Sequence, residues 1–211
     1  MSIYFLLLLI MVLLLYGGII SSLGYAPKKI KIISAMALIL MACRYIALII
    51  LFTIKNQSYL YLLKPLVYAN LLCIPICGIL SVHIFSRNNK IRLRKILLFC
   101  AMLCIAYGLV IYKSPVSINI SDNCGYTIEL QLEAYCYTVL LIINSIFLFK
   151  GIRLYNKIYV SKLGAVLIII ASSITLLSVI LTSLNPNSPM MLLGDISWIV
   201  TIDYGLIKFK K

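Results

Sequence analysis

The sequence predicts an all-α integral membrane protein, a bundle of about seven transmembrane helices. Of its 211 residues, 64% are hydrophobic and 11% are charged, against roughly 45 to 50% and 25% in ordinary soluble domains. The hydrophobic residues form long runs of about the 20 residues that a helix needs to cross a bilayer. These runs lack the alternation of a transmembrane barrel, which excludes strands. We therefore expect a single polytopic transmembrane domain over residues 1–211.

Seven apolar runs define the predicted helices. The first run has no basic segment before it and exceeds the roughly 7 to 15 apolar residues of a signal peptide, so we expect it to be a retained helix. The third run contains Pro65 and Pro75, which predict a kink near the middle of the helix that frees one or two backbone carbonyls for other partners. The predicted limits are 2–22, 30–54, 59–85, 93–112, 132–149, 160–184 and 190–208.

The charges between the runs orient the bundle. The formal net charge is +14, and the basic residues gather in alternate connections, within 28–31, 87–95, 150–162 and 208–211. Because cytoplasmic loops carry the excess of Lys and Arg, we expect the amino terminus outside and the carboxyl terminus in the cytoplasm. The same clusters predict contact with anionic lipid at the cytoplasmic face. Nucleic-acid binding is not expected, because the charge does not form a folded basic face.

Ionisable residues at membrane depth are the candidate ligand-binding or coupling residues. A charge there costs about 2.5 to 3.5 kcal/mol on insertion scales and needs a partner. At about 1.5 Å of rise per residue, Arg44 falls near the midplane of the second helix and Asp195 slightly further out in the seventh. The depths allow an Arg44 to Asp195 pair. Lys64, nearer the outside, is within reach of Asp195 or Glu133, and Asp203 lies near the cytoplasmic lysines.

These charges have two interpretations. In the first, they form a polar site in the outer half of the bundle, rimmed by Tyr45, Tyr61, Tyr68 and Trp198. In the second, an ion pair only fixes helix packing, while the Lys64 side chain extends to the outer interface. The sequence leaves both interpretations open.

Two pairs of cysteines suggest a different chemistry. Cys73 and Cys77 in the third helix, and Cys100 and Cys104 in the fourth, are each spaced to share one helix face. If the two helices are antiparallel neighbours, four thiols could converge on a soft metal, an iron–sulfur cluster or a redox pair. An apolar environment disfavours the thiolate form, however, and buried cysteine commonly behaves as a small hydrophobe. We therefore expect no cofactor.

The motifs of known intramembrane enzymes are missing from the sequence. Asp195 and Asp203 lie in one helix without a GxGD motif, no serine stands in GxSG, and His83 is the single histidine. The leading hypothesis is a non-enzymatic sensor, or an accessory subunit, that binds a small ligand or a partner membrane protein. One alternative is a small secondary transporter or channel subunit with an intramembrane Arg/Asp site, and another is a membrane redox enzyme using the paired cysteines. The richness in Ile, Lys and Asn is typical of AT-rich bacterial genes, so we expect a bacterial plasma membrane.

Overall fold

A computed structural model describes residues 3–53, 60–86, 93–121, 125–157, 160–184 and 190–209. It is 87% helical, which confirms the predicted helical class. The basic residues Arg87, Lys90 and Arg92, on which part of the predicted orientation rests, lie outside the described residues. The helices are α1 (Ile3–Tyr25), α2 (Lys28–Thr53), α3 (Tyr61–Ser86), α4 (Leu93–Lys113), α5 (Glu133–Tyr155), α6 (Lys162–Leu184) and α7 (Met191–Ile207).

Within the described ranges, six helices, α1 to α6, are long and apolar enough to cross a membrane. The seventh, α7, has 17 residues, or about 25 Å at 1.5 Å per residue. Large apolar side chains such as Leu13, Leu98 and Leu177 are exposed on the outside of the bundle. A surface of this kind is unfavourable in water and suits lipid. The orientation of the helices in a membrane stays a prediction.

Helices α3 and α7 form the centre of the bundle. Helix α3 packs against α2, α4, α5, α6 and α7, and α7 also packs against α1 and α6. Glycines allow the close approaches: a Cβ at Gly78 would overlap the ring of Phe147, and one at Gly164 would overlap the ring of Phe85. Small residues at helix interfaces are how membrane bundles gain packing contacts. Among the described helices, α4 is the most peripheral and packs mainly on α3.

Helix α3 is interrupted near its start. A 3₁₀ turn at Tyr61–Leu63 and a single α-helical turn at Lys64–Val67 precede the long helical part, Asn70–Ser86. At the break, the Leu71 amide donates to the Tyr68 carbonyl at 3.0 Å instead of to Val67, its partner in a regular helix. The interruption therefore frees the carbonyl of Val67. It also frees that of Pro65, because the Ala69 amide bonds to Leu66, and the Pro65 carbonyl accepts from the Tyr107 hydroxyl. The break lies at Tyr68 and Ala69, while Pro75 is accommodated inside the helix.

A β-hairpin, absent from the predicted architecture, connects α4 to α5. Strands β1 (Val116–Ser121) and β2 (Gly125–Leu130) are antiparallel, and Val116 pairs with Leu130. Ile128 and Leu130 are buried against α2 and α3, in a cluster with Leu51 and Tyr68. The hairpin thus covers one end of the bundle. Helix α5, which follows it, ends at Tyr155 and is longer than predicted.

Candidate ligand site

Arg44 and Asp195 form an ion pair inside the bundle, joining α2 to α7. The Arg44 Nη1 group donates to Asp195 Oδ2, and the Tyr45 hydroxyl donates to the same oxygen at 2.6 Å. Asp195 and Tyr45 are fully buried, and only 6% of Arg44 is exposed. A buried charge needs a partner of opposite sign with good hydrogen-bond geometry. Arg44 and Asp195 are such partners for each other.

The break in α3 supplies a second partner for Arg44. Arg44 Nε donates to the Val67 carbonyl at 2.8 Å, the same carbonyl that lacks a helical donor. Guanidinium groups offer several N–H donors in a fixed plane, so one side chain can bridge two helices. Arg44 therefore links α2 to both α3 and α7.

Asp195 reaches the centre of the bundle because α6 and α7 approach closely beside it. A Cβ at Gly194 would lie 2.8 Å from Ser178 Oγ and 3.3 Å from the Thr175 Cα. The neighbouring α6 hydroxyls bond backward to their own helix, with Ser178 donating to the Thr175 carbonyl at 2.9 Å. They leave Asp195 Oδ1 buried with no hydrogen-bond partner among the described residues.

A cavity of about 150 Å³ lies between the hairpin and the helices, and we call it the hairpin cavity. Arg44 from α2 and Asn70 from α3 form part of its wall, and Glu129 from β2 and Glu133 from α5 form another part. Apolar side chains such as Leu48 complete the lining. A mostly apolar wall with a few polar groups is typical of small-molecule sites.

Glu133 lies in the cavity wall beside two tyrosines. The hydroxyl of Tyr137, one turn further along α5, donates to its carboxylate, and the Tyr68 hydroxyl oxygen lies 3.3 Å from the same carboxylate. The single hydrogen of the Tyr68 hydroxyl is donated to the nearer Ile128 carbonyl at 2.6 Å, and its oxygen accepts from the Leu130 amide at 3.2 Å. Tyr68 therefore ties the break in α3 to the hairpin, next to Glu133.

The sequence-predicted site residues do not all meet in one place. Arg44 and Glu133 line the hairpin cavity, whereas Asp195 lies behind Arg44 and does not line it. Lys64 reaches neither Asp195 nor Glu133, because its Nζ donates to the Ser114 carbonyl at 2.5 Å. Asp203 has no ion-pair partner among the described residues, and its Oδ1 is buried without a hydrogen bond.

The predicted aromatic rim is divided in the same way. Tyr68 lines the cavity. The Tyr45 hydroxyl donates a hydrogen bond to Asp195, and Tyr61 is half exposed. Trp198 lies deeper in the bundle, where its Nε1 donates to Asn144 Oδ1 at 3.2 Å. Its ring meets that of Phe147 edge-on, with 5.4 Å between the centroids. Trp198 therefore belongs to the packed core and not to the cavity.

Among the described residues, the cysteines do not form a recognisable metal site. In the part of the chain that the structure describes, no three His, Cys, Asp or Glu side chains form a group that could hold a metal ion. Cys73, Cys77 and Cys100 are buried, whereas Cys104 is exposed. The thiol hypothesis gains no support from this arrangement.

Asn70, Glu129 and Tyr137 are among the cavity residues that the sequence did not predict. Asn70 carried a signal, because a lone amide in an apolar helix needs a partner just as a charge does. No sequence pattern indicated that Glu129 lines the cavity, since its position depends on the hairpin. The residues of β1, VSINIS, do alternate between apolar and polar, and that alternation indicates a half-buried strand.

Comparison of the chain with models of protein families gives no match. Comparison with curated proteins also gives no significant match. The fold and the site thus define a mostly helical protein, with six described helices suited to a membrane and, at one end, a cavity lined by both charged and apolar side chains.

Replacing Tyr68 with phenylalanine is expected to destabilise the protein by about 1 to 3 kcal/mol. The change removes the donor to Ile128 and leaves the buried Leu130 amide without its acceptor, and an unsatisfied buried group costs about that much. Unfolding in mixed detergent micelles, with amide exchange of the hairpin as a second readout, measures the effect. Tyr61→Phe is the control, because that tyrosine is half exposed. Equal stability of the two variants would contradict the role given to Tyr68.

Proposed function

We propose that this protein is a non-enzymatic membrane protein that binds a small polar ligand in the hairpin cavity, acting as a sensor or as an accessory subunit of a membrane complex. The observation that carries the proposal is the cavity itself, about 150 Å³ with Arg44, Asn70 and Glu133 in its wall. A cavity of about this volume in an engineered protein core binds benzene. We infer a ligand of roughly that size.

The ion pair next to the cavity provides a route for a signal. A ligand that contacts Arg44 changes its interaction with Asp195 on α7 and with the Val67 carbonyl on α3. A ligand can shift a conformational equilibrium only by binding two states differently. In the proposed mechanism, those states differ in how Arg44 joins α2, α3 and α7, and a partner protein reads the difference.

The location follows from the same proposal. With the amino terminus outside and the carboxyl terminus in the cytoplasm, the end of α2 and the hairpin face the exterior. The cavity would then sample the outside of a bacterial plasma membrane. The basic cytoplasmic face would contact anionic lipid.

A ligand screen tests the proposal. Small polar compounds are added to the purified chain in lipid nanodiscs, and thermal unfolding is followed. A binder at 100 times its Kd stabilises by about 2.7 kcal/mol, so we expect at least one compound to raise the midpoint. Leu48→Trp, which fills the cavity, is expected to abolish the rise. Leu40→Trp places the same ring at another half-buried site on α2 and should retain it.

Failure of the whole screen would count against the proposal. So would a midpoint rise that Leu48→Trp leaves unchanged, because such a compound binds elsewhere.

A second candidate, a small transporter, is favoured by the interrupted α3. Helices broken at a polar site are a recurrent feature of transporters, where the freed backbone groups meet the substrate or the coupling ion. Here the freed Val67 carbonyl meets Arg44, which is paired with Asp195. This candidate predicts flux into proteoliposomes that Asp195→Asn abolishes. Binding without flux favours the sensor.

A further inference from the structure

We propose that the hairpin cavity selects a small organic ammonium ion that carries N–H donors, an inference that rests on the proposed function. Three independent features of the wall support it: its charge, an unpaired acceptor and its aromatic rings.

The charge of the wall is negative. Arg44 is the one cation among the described lining residues, and Asp195 behind it matches its charge. Glu129 and Glu133 remain, and neither has an ion-pair partner in the described ranges. Charges interact more strongly near a protein interior than in bulk water. A cation is therefore attracted to this cavity, and a carboxylate ligand is repelled.

Asn70 requires a donor. Only 3% of its surface is exposed, it lines the cavity, and its Oδ1 atom is buried with no hydrogen-bond partner among the described residues. A buried carbonyl oxygen without a donor is unfavourable. An ammonium N–H that reaches this oxygen from the cavity would satisfy it. A carboxylate has no hydrogen to give, and a quaternary ammonium has none either.

The aromatic rings and the volume complete the match. Tyr68 and Tyr137 lie in the wall beside Glu133, and the Tyr137 hydroxyl donates to its carboxylate. Tyrosine rings attract cations that approach their faces. The volume of about 150 Å³ matches a ligand of about six non-hydrogen atoms. The occupant that fits is a short primary or secondary amine in its protonated form.

Calorimetry on the full chain in phosphatidylglycerol nanodiscs tests this class with matched probes. Butylammonium, butyramide, butyrate and tetramethylammonium are titrated at equal ionic strength. We expect butylammonium to bind at least tenfold more tightly than each of the others. Equal or tighter binding of butyrate or butyramide would show that the ligand is not an ammonium ion. The proposed function as a ligand-binding protein would still stand. If no probe binds and the wider screen also fails, both this inference and the proposed function are wrong.

Variants locate the site. Glu133→Gln and Glu129→Gln are each expected to weaken butylammonium binding about tenfold or more, the range of a hydrogen bond to a charged group. Butyramide binding should change much less. Glu129→Gln, on the hairpin, keeps the test valid if Glu133→Gln fails to fold. Asp203→Asn removes a carboxylate outside the cavity and should leave butylammonium binding unchanged. Loss of binding in Asp203→Asn alone would place the amine elsewhere and overturn the inference.

The same chemistry could come from a free amine or from the headgroup of phosphatidylethanolamine, which also carries a primary ammonium. Repeating the titration in nanodiscs that contain this lipid separates the two sources. A headgroup that enters the cavity competes, so the apparent affinity for butylammonium falls severalfold. A free-amine site keeps its affinity. A rise in affinity would match neither source and would contradict the inference.

Discussion

Replacing Asp195 with alanine is expected to destabilise the protein by about 3 to 5 kcal/mol. The change leaves the Arg44 guanidinium, 6% exposed, without its counter-charge, and breaking a buried pair by removing one partner costs about this much. It also removes the acceptor of the Tyr45 hydroxyl. Unfolding free energies in mixed detergent micelles measure the effect.

A double variant separates the interaction between Arg44 and Asp195 from the contribution that each residue makes alone. In Arg44→Met combined with Asp195→Leu both charges are gone, and such apolar replacements of buried pairs are often neutral or stabilising. We expect the double variant to be more stable than either single variant. The interaction energy of the cycle, which is the loss of the double variant minus the sum of the two single losses, quantifies the coupling. Additive losses would show that the two charges do not depend on each other.

Replacing Trp198 with alanine is expected to cost about 3 to 5 kcal/mol, the range for large buried aromatic residues. Trp198 is fully buried, meets Phe147 edge-on and donates to Asn144. In a bilayer the loss is chiefly of packing contacts and of this hydrogen bond. Thermal unfolding in nanodiscs and chemical unfolding in micelles should both report it.

A second variant separates the hydrogen bond of Trp198 from its packing, and a third serves as a control. Trp198→Phe keeps a ring in place but leaves Asn144 Oδ1 without its donor, so we expect a loss of about 1 to 3 kcal/mol. Tyr112→Ala is the control, because Tyr112 is 88% exposed on α4. Should Trp198→Ala prove as mild as Tyr112→Ala, the residue would not be part of the core.

Helix positions and the central ion pair could be predicted from the sequence for one physical reason. In an apolar solvent every backbone group needs an internal partner, so long apolar runs form helices. Each intramembrane charge needs a counter-charge at its own depth. Arg44 and Asp195 were close in predicted depth, and the structure pairs them. Predicted depth alone did not determine the partner of Lys64, which donates a hydrogen bond to the backbone carbonyl of Ser114.

The cavity could not be predicted, because it depends on tertiary contacts of the hairpin. The hairpin brings Glu129 over the bundle, and the break at Tyr68 and Ala69 turns the start of α3 toward it. The prolines predicted a kink near the middle of α3, whereas the break lies nearer its start, at Tyr68 and Ala69. The Val67 carbonyl is free because the next amides bond locally, and no sequence pattern specifies that choice.

We expect small polar molecules to occupy the hairpin cavity. A high-resolution structure of the chain in phosphatidylglycerol nanodiscs, soaked with butylammonium, tests this expectation. We predict density for the probe in contact with Asn70 and Glu133, with Arg44 still paired to Asp195. A closed cavity, in which protein side chains or a lipid acyl chain fill the space between Glu133 and Asn70, would contradict it.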